Sequence, residues 1–180
     1  MIYMKIVPIF AQRLWALHYD GEVDNEYDRL MILWTDPSYL KSFLEANQLD
    51  LPPGKTIHEM INHLYKDSET LDDGLIELSH DHNQKIETFF KPLYNSEYLV
   101  SILSKQKARK NYLRLYAIRI DSDCFVITGG AIKLTQTMNE RPHTQMELEK
   151  LEGVRTYLQK GGVSDLDSFF EFLSDPSHDE

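Results

Sequence analysis

The sequence predicts a single-domain α+β protein, with a small antiparallel sheet in the C-terminal half and an elaborated, mainly helical N-terminal half. Three observations lead there. Apolar residues recur at helical spacing between Tyr27 and Leu78 and again between Met146 and Phe172. Between those regions, Tyr112 to Leu134 is dense in Leu, Tyr, Ile and Val and is broken by an Asp-Ser-Asp turn. The chain has 180 residues, which suits one domain. At that size folding buries roughly 70% of the surface that the unfolded chain exposes, enough for a core without disulfides or metal.

Taken in order, Lys5–Phe10 and Arg13–Tyr19 are short apolar runs that read as strands, or as one bent strand with Pro8 at an edge. Asp20-Gly21 marks a turn. Tyr27, Leu30, Met31 and Trp34 then share one helical face. A new helix starts at Asp36-Pro37, with Asp36 as N-cap and Pro37 at the first helical position, where a missing N–H costs nothing. After the break at Leu51-Pro-Pro-Gly54, Thr56 and Glu59 form a capping box ahead of Ile57, Met60, Ile61 and Leu64. Leu71, Leu75 and Leu78 carry a second helical piece towards His80, and Ile86, Phe89 and Phe90 end this region before Pro92. Asn95-Ser96 is a turn, Tyr98–Leu103 is apolar, and Ser101–Lys110 fits either a strand or a helix feeding the sheet. Tyr112–Ile120 and Cys124–Thr128 pair as a hairpin across Asp121-Ser-Asp123, with a bend or bulge at Gly129-Gly130. Met146 to Leu158 is a packed helix stopped by Gly161-Gly162. Ser164 and Asp167 can cap a last helix on Leu166, Phe169, Phe170 and Phe172, before an acidic tail.

Several chemistries find little support. The single Cys124 lies in an apolar run, excludes an internal disulfide and reads as a small core residue. The glycine pair suits a strand bulge better than a phosphate cradle. His80 and His82 have no third ligand nearby and suit a surface loop, so no metal or other cofactor is expected. His58 and His63, five apart, do not align on a helix. No run approaches the ~20 apolar residues of a membrane helix, and the N-terminus lacks a signal-peptide core, so the expected location is the cytoplasm.

Charge is unevenly placed. The chain carries a net charge of −10. From Ser101 to Arg141, however, eight bases face three acids, a net of +5, leaving −15 elsewhere. Lys66–Asp81 holds six acids and one base, which fits a solvated helix face or a shield for the basic region. Within the basic segment Lys105, Lys107 and Arg109 alternate and would share one face of a strand; Lys110, Arg114 and Arg119 follow, and a hairpin return brings Lys133 close. Such a cluster can hold a phosphodiester and stabilise charge on a phosphorane. It can equally be a solvated strand edge studded with lysine to block aggregation.

The order of features is also informative: Pro92-Leu93, the basic run, Leu113-Arg-Leu-Tyr116, the Asp turn, Phe125-Val-Ile127, Lys133-Leu-Thr-Gln-Thr137, Pro142, then Glu147 and Arg155-x-Tyr157. Over about residues 90–158 it resembles the RelE/ParE toxin superfamily, nearest its HigB-like, phage-derived branch. The resemblance implies a small twisted antiparallel sheet packed against helices, with residues 1–85 as an N-terminal strand and helix elaboration and 86–175 as the toxin-like part. It implies a toxin of a toxin–antitoxin system: an mRNA endoribonuclease in which the 2′-hydroxyl attacks the neighbouring phosphate, with mRNA or the ribosome as target and a cognate antitoxin as partner. On this pattern Arg114 and Lys133 are catalytic. Lys105 and Lys107 match paired basic positions, and Arg109, Lys110 and Arg119 add RNA contacts. Relatives place a Tyr or His just beyond the last strand; here His143 is the nearby titratable ring, of a type suited to proton transfer. A non-catalytic protein of the same fold, binding RNA or a protein partner, is the alternative.

Overall fold

The two N-terminal runs form two strands rather than one bent strand. β1 (Met4–Phe10) pairs antiparallel with β2 (Leu14–Tyr19), and Pro8 lies on β1, the outermost strand, where a sheet tolerates proline. The computed structural model describes residues 4–10, 12–94, 102–135 and 142–176. The expected turn at Asn95-Ser96, most of the apolar run at 98–103, residues 136–141 and the end of the acidic tail lie outside the described residues.

Helix starts follow the capping chemistry. Asn25 caps α1 (Glu26–Trp34) by accepting from the Asp28 amide. Asp36 caps α2 (Pro37–Ala46), its Oδ1 3.0 Å from the Ser38 amide, with Pro37 in the first turn. Both bonds of the Thr56–Glu59 box are made at 3.1 Å, opening α3 (Ile57–His80). This helix runs 24 residues without a break, so its two leucine stripes belong to one element. The acids of α3 are not all solvated. Asp67 is buried, and Asp72 accepts the hydroxyl of Tyr27.

The remaining strands are β3 (Lys91–Pro92), β4 (Lys105–Lys110), β5 (Leu113–Asp121) and β6 (Cys124–Ile132). Residues 105–110 are thus a strand. The sheet order is β1-β2-β6-β5-β4-β3, antiparallel at every junction except β2–β6, which is parallel. The architecture is α+β as expected. Its sheet is larger than the C-terminal half alone would build, because the N-terminal hairpin adds to the β6 edge and carries the sheet across residue 85.

Both faces of the sheet are covered. Leu113, Leu115, Ala117, Phe125 and Ile127 point to α1, α2 and α3; Tyr116, Ile118, Ile120, Cys124 and Val126 point to α4 (Pro142–Lys160) and α5 (Leu166–Ser174). Every residue of β6 is buried. Between Ile127 and Gly129 the β5–β6 register shifts, so Thr128 is a bulge and the facing of β6 switches parity. The two glycines beyond it let helices close in from opposite sides. A Cβ on Gly129 would run into the Glu147 carboxylate of α4. One on Gly130 would stand 2.5 Å from the Arg114 carbonyl and 2.8 Å from Leu30 of α1. Close packing explains this pair, as a phosphate cradle does not.

α4 ends in a Schellman motif: Val163 N–H donates to Leu158 O and Gly162 N–H to Gln159 O, with Gly162 at φ +84°. The cap of α5 is Asp165 rather than Ser164. Asp165 Oδ1 accepts from the Ser168 amide at 2.8 Å, and Ser168 Oγ accepts the amides of Ser164 and Asp165. Cys124 is buried and its thiol is pushed up to about 12, chiefly by burial, as befits a core residue. Among the described residues no helix is long and apolar enough to cross a membrane.

Candidate functional site

Strand alternation decides where the basic segment's side chains go. In β4, Lys105, Lys107 and Arg109 lie opposite Ile118, Tyr116 and Arg114 of β5, so they share the sheet face that carries α4. The β4–β5 loop is two residues, Asn111 and Tyr112, closed by the Lys110–Leu113 pair. Asn111 takes φ +51°, a conformation that asparagine tolerates better than most residues. Where the chain leaves β6, Lys133 donates its amide to Tyr112 O at 2.6 Å, which draws residues 133–135 alongside this loop.

The result is an open cleft of about 670 Å³, lined by Lys107, Arg109, Arg114, Lys133, Asn111, Tyr112, Leu134, Thr135 and His63 of α3. No carboxylate is among its described lining residues. The cations crowd one another. Lys107 is held below the usual lysine range by burial first, then by Arg114, Arg109 and Lys91. Arg114 is also held down, by burial and by Arg109. Such a site favours an anionic occupant, which removes the repulsion.

Arg114 is nearly buried, and its Nη1 donates to the carbonyls of Asn111 (2.6 Å) and Leu113 (2.9 Å). It therefore holds the turn as well as lining the cleft. Asn111 has a second anchor, since its Nδ2 donates to both Asp67 oxygens at 3.0 Å. The Nε2 of His63 is 3.4 Å from Asp67 Oδ2, and its ring stands edge-on to Tyr112.

The predicted site residues thus divide. Lys107, Arg109, Arg114 and Lys133 converge. Lys105 shares their strand face but is paired with Glu152 of α4 at 2.5 Å and is not part of the lining. Lys110 alternates to the other face. Arg119 is also on that face, paired with Glu87 at 2.6 Å and set over the Phe125 ring. His143, in the first turn of α4, packs edge-on against Phe43, with Nε2 3.2 Å from the Ile132 carbonyl; it does not line the cleft.

Pairing His63 with His58, five residues away, overlooks Asp67. The signal that finds them is their own separation of four residues on a helix, which stacks the two side chains. That this pair faces the basic turn comes only from α3 crossing the end of β4 and β5. Among the described residues no His, Cys, Asp or Glu cluster is arranged to hold a metal ion. Compared with protein-family models, curated proteins and solved structures, the chain matches none.

Proposed function

We propose that the cleft binds the phosphate backbone of single-stranded RNA. The observation that carries this reading is the convergence of Lys107, Arg109, Arg114 and Lys133 on one concavity with no carboxylate among its described lining residues, in a chain whose net charge is −10. Cations kept close against their mutual repulsion suit a string of phosphates. The rings of Tyr112 and His63 at the cleft supply surfaces on which bases can stack. RNA is favoured over other polyanions by the resemblance of residues 90–158 to RelE/ParE toxins. In that setting the protein is the toxin of a toxin–antitoxin pair, acts on mRNA alone or on the ribosome, and is held in check by an antitoxin.

Fluorescence anisotropy with a labelled 12-nucleotide RNA tests the reading. If the four cations each neutralise one phosphate, log Kd against log salt should have a slope of magnitude about 3. Lys107→Ala and Arg109→Ala should each weaken binding about tenfold, or about 1.4 kcal/mol, and flatten that slope. Arg119→Met, on the opposite face, should leave affinity unchanged. Failure to bind RNA, or equal losses in all three variants, overturns the proposal. Salt-insensitive capture of a protein partner would instead favour a protein-binding role.

A further inference from the structure

We propose that the groove between α1 and α3 is a docking surface for a basic amphipathic helix of a partner protein. The proposal is independent of the RNA reading, because the groove and the basic cleft have no described lining residue in common.

Helical spacing builds the two walls. On α1, Asp28 and Ile32 stand one turn apart. On α3, Tyr65, Glu69, Asp72 and Ile76 follow one another at steps of four, three and four residues, so they share one side of the helix. Between the walls lies an open hollow of about 550 Å³. Buried Tyr27 lines it, and its hydroxyl donates to Asp72, which ties α1 to α3.

Two separate features coincide here. The first is charge. Asp24, Asp28, Glu69 and Asp72 line the hollow, and no Lys or Arg is among its described lining residues. The ion pairs formed among the described residues use other carboxylates. The second is exposed apolar surface. Ile32 is 55% and Ile76 41% exposed, Tyr65 is also exposed, and so is Val23 beside Asp24. These are four of the seven large apolar side chains exposed among the described residues, so such surface gathers at this groove rather than scattering singly. A solvated helix face accounts for the acids but not for the isoleucines among them.

This chemistry selects the occupant. Four carboxylates repel RNA and anionic lipid. A second copy fits poorly, because the chain outside residues 101–141 is itself strongly acidic and the converging cations sit inside a cleft. A small polycation would leave Ile32 and Ile76 uncovered. An extended segment would bring unpaired N–H and C=O groups to walls whose own backbone is bonded within helices, whereas a helix satisfies its backbone internally. Tyr65 to Ile76 spans about 16 Å of α3, or three turns. A partner helix of that length, apolar along one face, covers Ile32 and Ile76. Its flanking Lys or Arg side chains then meet Asp24 and Asp28 on one wall and Glu69 and Asp72 on the other.

The test uses the full chain and a labelled leucine–lysine peptide of about 18 residues, with leucines at i, i+3, i+4 and i+7, beside a scrambled peptide of the same composition. By fluorescence anisotropy the patterned peptide should bind at least about tenfold more tightly than the scrambled one, and its affinity should fall as salt rises. Its circular dichroism should turn more helical on binding. Ile32→Ser and Glu69→Lys should each weaken binding about tenfold; both side chains are exposed, so neither change disturbs the core. Glu171→Lys makes the same change of charge at an exposed position of α5, on the other face of the sheet, and should stay within about twofold of wild type. Equal binding of the two peptides, or equal losses in Glu171→Lys and Glu69→Lys, would reveal diffuse attraction to an acidic chain and overturn the proposal. Displacement of the peptide by an equal concentration of spermidine would also overturn it, by assigning the groove to a small polycation.

Discussion

Glu147 shows how a single buried group writes itself into stability. Its carboxylate is buried against Gly129, with Oε1 accepting from Lys150 at 3.1 Å and Oε2 without a hydrogen-bond partner among the described residues. Lys150 also bonds Glu26 at 3.2 Å, and Glu26 takes Arg29 at 2.7 Å, so two carboxylates share two cations beside the sheet. Burial raises the Glu147 carboxyl above its usual 4.5, against the opposing pull of Lys150. A raised carboxyl binds its proton more tightly folded than unfolded. Stability from this group is therefore present at low pH and is lost as pH rises from about 4.5 through the folded value. Urea titrations from pH 4.5 to pH 7 should show a shallower decline for Glu147→Gln than for wild type. Parallel curves would mean that the group does not titrate differently on folding. Residue-scale logic also explains the split among the basic residues. Lys105 and Arg119 are as basic as Lys107, but Glu152 and Glu87 stand within reach of the first two. Composition cannot show which cations already have a partner.

At the scale of elements, the capping signals are local, so they are legible before any fold is known. Asp36-Pro37 and Thr56–Glu59 act where they stand because a cap bonds amides two or three residues away. By sequence, strand β4 fits a helix as well as a strand, for the opposite reason. Gln106 and Ala108 are weak strand formers, and the choice rests on partners at β5, which are remote in space until the hairpin closes. The glycine pair lies between these cases. A bulge is foreseeable from Gly129-Gly130, but the demand for glycine comes from helices on both sides. Gly130→Ala should cost about 3 kcal/mol, because a Cβ there meets backbone at Arg114 as well as Leu30 and Trp34, and backbone cannot rotate away. Chemical denaturation would measure it; a loss below 1 kcal/mol would show that the strand shifts to make room.

For the whole molecule, one arginine ties together parts that no local rule connects. Arg13, between β1 and β2, donates through Nε to both oxygens of Asp123, 110 positions away, at 3.1 and 3.0 Å. Its Nη1 reaches the Leu78 and Ser79 carbonyls at the end of α3, and Nη2 reaches Gln84 O. Asp123 also accepts the Ile86 amide at 2.9 Å. The N-terminal hairpin, the end of α3 and the β5–β6 turn are thereby held at one point, beside the parallel β2–β6 junction. Arg13→Met leaves several carbonyls and a half-exposed carboxylate without this donor. It should cost about 2 to 3 kcal/mol, less than a fully buried pair would. Amide exchange at residues 78–86 should quicken more than at β5, and unchanged protection there would refute the tie.

The sequence alone determined the α+β class, the starts of α2 and α3, the stop of α4, the turn at Asp20-Gly21, the hairpin around Asp121, and the concentration of cations between Lys105 and Lys133. These depend on neighbours a few residues apart or on composition. Only the tertiary structure decided that the N-terminal hairpin joins the sheet through a parallel pair, that α3 is one helix with Asp67 turned inward, and that Lys107, Arg109, Arg114 and Lys133 meet His63 in one cleft while Lys105, Arg119 and His143 are held elsewhere. The reason is strand parity. A strand sends alternate side chains to opposite faces, and the bulge at Thr128 reverses that order within β6. Which charges become neighbours is therefore fixed by register and by the helices packed on each face, and neither can be counted along the chain.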